Sequence, residues 1–212
     1  KALPDWTEAD VDGSPYAVYS YSLDPSLGAP GDLARLKSRL NGTGLRLMVD
    51  FVPNHLALDH PWTVSHPARF VQARESDVHT HPHWFYPTTN SVSLAHGKDP
   101  YFPPWTDTAQ VNFHSPDLRE AFTGELLKIA EVADGVRCDM AMLALDEVFE
   151  QIWGGVLGDY PRLETEFWAE AIRRVKQKNP DFIFLAEVYW GFESKLRRLG
   201  FDFTYDKILY DR

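Results

Sequence analysis

An arginine and a carboxylate two positions apart, in Gly135-Val-Arg-Cys-Asp139, are the residues of this chain best suited to chemistry. Small and apolar residues surround the two charges, which predicts a buried strand. Because side chains alternate between the two faces of a strand, Arg137 and Asp139 should point to the same side. We expect Arg137 to lower the pKa of Asp139 and keep it ionised, as a covalent nucleophile requires. A buried Arg–Asp pair that only stabilises the fold accounts for this stretch equally well.

Glu187 is a second carboxylate in a comparable position, within the apolar run 182–188 that is also predicted to be a buried strand. Its apolar neighbours, from Phe184 to Tyr189, should raise its pKa and keep it protonated. An ionised and a protonated carboxyl group at neighbouring strand ends are the minimum that cleavage of a glycosidic bond requires. The different surroundings would make Asp139 the ionised group and Glu187 the acid.

Helices and strands are predicted to alternate along most of the chain. Apolar runs predict strands over residues 45–51, 135–139, 182–188 and 200–205. Helical spacing and capping residues predict helices over residues 32–40, from Ser115-Pro116 through 129, and over 167–178 and 193–199, with a loop over 141–162. Such alternation implies a parallel sheet with right-handed crossovers, and both a doubly wound sheet and a (β/α)8 barrel fit it.

The carboxyl ends of the predicted strands carry polar residues. Asp50, Asp139 and Glu187 each stand at such an end, and both architectures place their active sites there. No Gly-rich phosphate-binding fingerprint follows any predicted strand, which weakens the nucleotide-binding version of the fold.

A long segment, residues 56–113, has no clear periodicity, and prolines interrupt it repeatedly. A connection of that length is unusual inside a compact domain unless it forms a functional insertion. Its many aromatic residues could stack on sugar rings or fill the core of a small lobe, and we favour the core for most of them. They are Trp62, Phe70, Trp84, Phe85, Tyr86, Tyr101, Phe102 and Trp105.

Composition and charge exclude several classes of partner. The net charge of -10 argues against nucleic acid and anionic membranes, which select basic surfaces. The chain has no apolar run long enough to span a membrane, and 212 residues with 44% hydrophobic content suit a globular domain. A single cysteine, Cys138, excludes an internal disulfide. The compartment stays open, with the cytoplasm favoured because neither a disulfide nor a signal peptide is seen.

Three segments, taken in order, resemble the signature of the α-amylase family, glycoside hydrolase family 13. Asp50-Phe-Val-Pro-Asn-His55 is similar to the family's first segment, Gly135-Val-Arg-Cys-Asp139 to its second and Phe184-Leu-Ala-Glu187 to its third. Gln110-Val-Asn112 resembles an extra segment near the end of the family's B domain. The similarity covers roughly residues 13–212, and the long insertion follows the third barrel strand, as it does in family members.

The resemblance implies catalytic roles for three residues. Asp139 matches the catalytic nucleophile, Glu187 the general acid/base, and Arg137 the arginine that orients the nucleophile. These are the roles of a retaining enzyme, in which the nucleophile forms a covalent glycosyl-enzyme. The implied activity is that of a retaining α-glycosidase or transglycosidase acting on α-glucosidic bonds of oligo- or polysaccharides.

Further residues match positions that contact substrate or metal. His55 matches a histidine that contacts the sugar in the cleavage subsite, and Tyr16 matches a tyrosine that stacks on the same sugar. Asp50 matches a mainly structural aspartate near the arginine. Asn54 matches a position that binds a structural calcium in many members, although the implied reaction requires no cofactor. The expected partner is a carbohydrate substrate, and the oligomeric state stays open.

Three departures limit what the resemblance implies. Met142-Leu143 stand where the family's second segment often continues with Lys-His, which argues against ordinary starch-type specificity and removes a neighbour of the calcium. The fourth segment and the first barrel strands are not found, and a whole barrel takes about 250 residues. We therefore expect a partial (β/α)8 TIM barrel over residues 1–55 and 114–212, with a B-domain-like insertion over 56–113. The activity of such a fragment in isolation stays open.

Two other functions fit the same residues. A phosphate-dependent glucan glycosyltransferase would use the same fold, and dependence of sugar release on phosphate would separate it from a hydrolase. A non-catalytic carbohydrate-binding or transport-accessory relative would lack the carboxylates, whereas this chain keeps both Asp139 and Glu187.

Overall fold

A parallel sheet of four strands lies at the centre of this computed structural model, which describes residues 5, 7, 13–29, 31–89, 91–157 and 160–211. In chain order the helices and strands are α1 (Asp32–Gly42), β1 (Met48–Phe51), β2 (His55–Ala57), α2 (Trp62–Ser65), α3 (Glu75–Thr80), β3 (Phe85–Pro87), β4 (Ser93–Ala95), β5 (Thr108–Gln110), α4 (Pro116–Val132), β6 (Gly135–Cys138), α5 (Asp146–Trp153), α6 (Phe167–Lys178), β7 (Ile183–Ala186), α7 (Glu193–Arg198), β8 (Phe203–Thr204) and α8 (Lys207–Tyr210). Two 3-10 turns cover Pro67–Arg69 and Ala141–Ala144. Within the described residues, no helix is long and apolar enough to cross a bilayer.

The strands of the central sheet follow one another in chain order, β1-β6-β7-β8, and every neighbouring pair is parallel. Each new strand is added on the same side of the last, and the connections carry helices α4, α6 and α7. A doubly wound sheet reverses direction at a switch point, which these strands do not do. The predicted parallel sheet is therefore confirmed, and its winding is that of part of a (β/α)8 barrel.

Strand β1 forms one edge of this sheet, and the prediction that it is buried on both faces is wrong. Met48 is 38% exposed, and Phe51 is the one fully buried side chain of the strand. In the described part of the chain, β1 pairs with β6 and with no other strand. Its apolar sequence is that of an internal strand, but water reaches it because no described strand covers its outer side.

The helix before β6 begins where the sequence predicts. Ser115 caps α4 by accepting a hydrogen bond from the Leu118 N–H, and Pro116 occupies the first turn. The predicted apolar stripe of α4 is buried as expected: Leu118, Phe122, Leu126 and Ile129. Helix α4 packs against α6, whose observed bounds equal the predicted ones. These two helices cover the face of the sheet that carries Phe51 and Phe184.

Residues 146–153 form α5, so the prediction of a loop over 141–162 is wrong in this part. The helix begins with Asp146 and Glu147, which suit the positive end of the helix dipole, and it buries Val148, Phe149 and Trp153. Gly154, which suggested a loop, instead marks the end of the helix. The apolar residues before α5 form a fully buried 3-10 turn, a short element that leaves no periodic signal.

The segment between β1 and α4 forms two small antiparallel sheets, β2 with β5 and β3 with β4. Its core includes Phe70, Phe85 and Leu94. The prediction that its aromatic residues serve mainly as core is right for Phe70 and Phe85, whereas Tyr101 and Phe102 are exposed. The bounds 56–113 for an inserted domain stay a prediction.

Candidate active site

The ends of β6 and β7 bring the two candidate catalytic carboxylates to one edge of the sheet. Cys138 pairs with Ala186 in the parallel ladder, and the ladder continues as the Glu187 N–H donates to the Cys138 carbonyl at 3.0 Å. Asp139 lies one residue past β6, and Glu187 lies one residue past β7. Both therefore stand at the carboxyl edge of the sheet, where barrel enzymes hold their active sites.

Arg137 joins these carboxylates through one guanidinium group. Its Nη1 donates to Asp139 Oδ1 at 2.7 Å, and its Nη2 donates to Glu187 Oε2 at 2.6 Å. Asp50 Oδ1 lies 3.5 Å from Nη1, and the Tyr205 hydroxyl accepts from Nε at 3.2 Å. Four of the predicted site residues, Arg137, Asp139, Glu187 and Asp50, thus form one group, which we call the carboxylate cluster.

The carboxyl group of Asp139 holds its proton more tightly than a free aspartate. Burial and the negative charge of Glu187 raise the pKa of Asp139 to about 6, and the charge of Arg137 opposes them. Arg137 acts in the expected direction, because it lowers this pKa, but the expectation that its effect would prevail is wrong. The guanidinium divides its donors between two carboxylates, so it does not offset both the desolvation of Asp139 and its repulsion by Glu187.

Glu187 lies among hydrogen-bond donors, and the apolar surroundings predicted for it are wrong. Besides Arg137, the Tyr189 hydroxyl donates to Oε1 at 2.5 Å and the Met140 N–H donates to Oε2 at 2.9 Å. Met140 has a φ of 42°, in the left-handed region that residues other than glycine rarely adopt. The turn it makes directly after Asp139 aims its N–H at Glu187, and strain of this kind is typically retained at functional sites.

His55 is enclosed by residues of the segment that follows β1. The ring centroid of Trp105 lies 5.2 Å from that of His55, and a side chain at Gly97 would meet the His55 Cβ at 2.9 Å. Burial lowers the pKa of His55 to about 4, opposed by a hydrogen bond to the backbone of Tyr16. The imidazole is therefore neutral at pH 7, with one nitrogen able to donate and the other able to accept.

Tyr16 and Asp50 lie at the solvent-exposed rim of the carboxylate cluster. The Tyr16 ring centroid is 5.9 Å from the guanidinium carbon of Arg137, and 43% of the residue is exposed. The Asp50 side chain is 54% exposed. Tyr16 links the two halves of the predicted site, because its ring faces Arg137 while its backbone contacts His55.

Asn54 does not offer its oxygens to a cation in this structure. Its side-chain Oδ1 and its carbonyl oxygen both accept from Gln110 Nε2, at 3.1 and 2.9 Å. Across the residues that the structure describes, no group of three or more His, Cys, Asp or Glu side chains is placed to hold a metal ion. The residues around Asn54 do not fit the calcium that the resemblance implies.

Sequence reasoning missed three groups that contact the carboxylate cluster: Tyr189, Tyr205 and the backbone of Met140. Tyr189 follows Glu187 by two positions, a spacing that puts both on one side of an extended chain and is a usable signal. Tyr205 is placed by the register of β7 and β8, in which Ala186 pairs with Thr204. Register between strands does not follow from the strands' own sequences, and no sequence signal marks the left-handed turn at Met140.

The winding of the sheet and the paired carboxylates at its carboxyl edge place the chain in the class of (β/α)8-barrel domains with an acidic active site. The family model described as alpha amylase, catalytic domain, matches residues 14–202. The chain belongs to the alpha-amylase family. The predicted family and the predicted fold class are thereby confirmed.

Individual relatives agree with this assignment. Alpha-amylase 3 of Dictyoglomus thermophilum is 25% identical over 185 residues, which are 83% of this chain and 33% of that protein. The alpha-1,4-glucan:maltose-1-phosphate maltosyltransferase of Bifidobacterium longum is 24% identical over 204 residues, 91% of this chain and 22% of that protein. The crystal structure of an alpha-amylase from Lactobacillus plantarum matches with a TM-score of 0.60 and 27% identity, over 94% of this chain and 42% of that one. The chain thus spans less than half the length of each of these relatives.

Proposed function

We propose that the protein is a retaining α-glycosidase or transglycosidase that acts on α-glucosidic bonds of oligo- or polysaccharides. The observation that carries this proposal is the guanidinium of Arg137 shared by Asp139 and Glu187 at the carboxyl edge of the sheet. Two carboxyl groups held close together are the equipment of a retaining glycosidase. Relatives named as an alpha-amylase and as a glucan maltosyltransferase support a glucan or glucoside as the substrate.

The reaction would proceed in two displacements. Asp139 attacks the anomeric carbon while Glu187 gives a proton to the departing glycosidic oxygen, so one C–O bond forms as the other breaks. The product of this step is a covalent glycosyl-enzyme. Glu187, now ionised, takes a proton from water or from a sugar hydroxyl, whose oxygen then displaces Asp139. Water gives hydrolysis, and a sugar hydroxyl gives transfer.

The donors around Glu187 fit the charge that it acquires in this scheme. Once its proton has moved to the leaving group, the carboxylate is stabilised by Arg137 Nη2, the Met140 N–H and the Tyr189 hydroxyl. A carboxylate oxygen accepts at more than one position, so the leaving oxygen can approach Glu187 Oε1 beside the Tyr189 hydroxyl.

An exposed aromatic pair, of which Trp190 follows Glu187 by three positions, supports a sugar as the ligand. Trp190 and Tyr101 meet edge to face with ring centroids 5.0 Å apart, and they are 40% and 64% exposed. The φ of Trp190 is 62°, again in the left-handed region. Asp99 Oδ1 fixes the backbone at the other ring of the pair, because it accepts from the N–H groups of Tyr101 and Phe102, at 2.7 and 2.8 Å. Rings held in water by a fixed backbone suit the apolar face of a pyranose.

The test is to trap the glycosyl-enzyme with α-glucosyl fluoride. Fluoride leaves without protonation, so Glu187→Gln should still be glycosylated but should lack the base for the second step. Mass spectrometry of its peptides should find one hexose on Asp139, and the matched control Glu187→Gln/Asp139→Asn should carry none. A hexose on another residue, or a first product of inverted anomeric configuration from the unsubstituted protein, would contradict the proposal.

A phosphate-dependent glucan glycosyltransferase is the second candidate. The similarity of the Bifidobacterium longum maltosyltransferase, which covers 91% of this chain, favours it. The two functions differ in the acceptor that takes the sugar from Asp139. Formation of a sugar phosphate from a glucan only when inorganic phosphate is present would identify the transferase, and release of free sugar without phosphate would identify the hydrolase.

A further inference from the structure

Three oxygen atoms converge on the side-chain nitrogen of Gln110. Nε2 lies 2.9 Å from the Asn54 carbonyl oxygen, 3.1 Å from Asn54 Oδ1 and 3.2 Å from the Val111 carbonyl oxygen. Gln110 is 0% exposed and Asn54 is 1% exposed, so water does not complete this arrangement from outside. A side-chain amide nitrogen carries two hydrogens, so three acceptors exceed its donors. We call this arrangement the Gln110 oxygen cage.

The cage has the chemistry of a cation site. Its three acceptors are all carbonyl-type oxygens, the ligands that a hard cation such as Ca²⁺ takes. They link two segments that are distant in the chain, at Asn54 and Val111, as a structural ion would. Gln110 Oε1 faces the opposite way and accepts from the Lys98 N–H at 3.4 Å, which sets the amide with its nitrogen toward the oxygens.

We propose that the Gln110 side-chain amide replaces a structural calcium at this position, so that the protein keeps the junction of Asn54 and Val111 without a metal. Calcium takes six to eight oxygens at about 2.3–2.6 Å, usually with carboxylates among them. The cage offers three uncharged oxygens at hydrogen-bond distance from a nitrogen that already occupies its centre. This proposal is independent of the proposed reaction, because it concerns the stability of the fold.

The unsubstituted protein gives the first test. Its Tm is measured after dialysis against EGTA and again with excess CaCl2. We expect the two values to agree. A structural calcium at a hundred times its Kd would instead raise the Tm of a domain of this size by roughly 5–10 °C. A rise of that order would overturn the proposal.

The substitution Gln110→Glu gives the converse test, because it exchanges the donor nitrogen for a carboxylate oxygen. The variant should melt below the unsubstituted protein in EGTA, since oxygens then face oxygens without a positive partner. CaCl2 should restore the Tm, and MgCl2 should restore less of it, because Mg²⁺ demands a near-ideal octahedral site. Gln151→Glu on the exposed side of α5 is the matched control, and its Tm should be the same in EGTA and CaCl2.

Each result of the Gln110→Glu experiment decides for or against the cage as a cation site. A calcium-dependent Tm, or a variant that folds only when CaCl2 is added, supports the proposal. The same Tm in EGTA and CaCl2, or a variant that is unfolded in both, overturns it, because these oxygens would then be unable to coordinate calcium. Isothermal titration with CaCl2 alone provides a direct check, with binding expected for Gln110→Glu and none for the unsubstituted protein.

Discussion

At the scale of single residues, the ionisation state that Asp139 needs in the proposed reaction conflicts with the effect of its surroundings on its pKa. In the proposed reaction it has to be ionised to attack a sugar, yet burial and the charge of Glu187 raise its pKa to about 6 in the folded protein. A free aspartate titrates near pH 3.9, so between about pH 4 and 6 the folded state holds a proton that the unfolded chain has lost. The free energy of unfolding therefore decreases as the pH rises through this window.

We expect Asp139→Asn to stabilise the fold at pH 7.5, because asparagine resembles the protonated acid and carries no charge to desolvate. The gain should be on the order of 1–2 kcal/mol, after allowance for the partner that Arg137 loses. It should shrink toward zero at pH 4, where the unsubstituted Asp139 is itself protonated. Urea unfolding at the two pH values measures both numbers. A variant less stable than the unsubstituted protein at pH 7.5 would show that the Arg137 pairing outweighs desolvation.

Tyr189→Phe removes only the hydroxyl that donates to Glu187 Oε1. Hydrogen bonds to charged groups contribute about 1.5–3 kcal/mol, so loss of this donor from the ionised Glu187 should lower kcat by roughly ten- to a hundredfold. KM should change little, since the donor acts on charge that develops during the reaction. Tyr160→Phe, at a partly exposed position, is the control. An unchanged kcat would mean that the Tyr189 hydroxyl turns away when substrate binds.

At the scale of elements, the close approach of β6 to β7 depends on Gly135. A Cβ at this position would lie 2.7 Å from the Ile183 carbonyl oxygen, which is backbone and cannot move aside. Gly135→Ala should therefore destabilise the protein by about 1–3 kcal/mol, as overpacking does. Gly124→Ala is the control, because it lies within α4 with no atom near a new Cβ. That change should stabilise the helix by about 1 kcal/mol, and thermal unfolding distinguishes the opposite signs.

The start of α4 depends on its cap. Ser115→Ala removes the oxygen that accepts from the Leu118 N–H and should lower the free energy of unfolding by about 1 kcal/mol. Ser38→Ala makes the same chemical change at an exposed position inside α1, where alanine is the better helix former, and should not destabilise. Equal effects of the two substitutions would contradict a capping role for Ser115.

The same elements show how far sequence reasoning reaches. Local patterns were sufficient for α4 and α6, because an N-cap, an apolar stripe and a terminal Asn-Pro are contained in the helix itself. The alternation of side chains between the two faces of a strand was sufficient to place Arg137 and Asp139 on the same side of the sheet. The pKa of Asp139 was predicted in the wrong direction because burial and the charge of Glu187, which lies past the end of the neighbouring strand, together outweigh Arg137. Helix α5 was missed because it is short and the two glycines that follow it, Gly154 and Gly155, outweighed its amphipathic pattern.

At the scale of the whole molecule, the site is assembled from three parts of the chain. The segment near the N-terminus supplies Tyr16, the sheet supplies Arg137 with its carboxylates, and the segment between β1 and α4 supplies His55 and Tyr101. Family and sheet type could be predicted because each signature segment is local in sequence. The contacts between the parts, such as the Gln110 oxygen cage, arise from residues far apart in the chain and needed the three-dimensional structure.

The uncovered outer side of β1 has a consequence for how the protein behaves in solution. Among the described residues β1 has a strand partner on one side only, and a row of backbone groups without a strand partner is a template for another strand, so such edges promote edge-to-edge aggregation unless a charge or a partner blocks them. Met48→Lys would place a charge on this edge and should reduce light scattering after refolding at high concentration. Leu27→Lys, at an exposed loop position, adds the same charge elsewhere and should not. If the two variants scatter light equally, molecules do not associate through the edge of β1. If light scattering decreases for Met48→Lys alone, association proceeds through this edge.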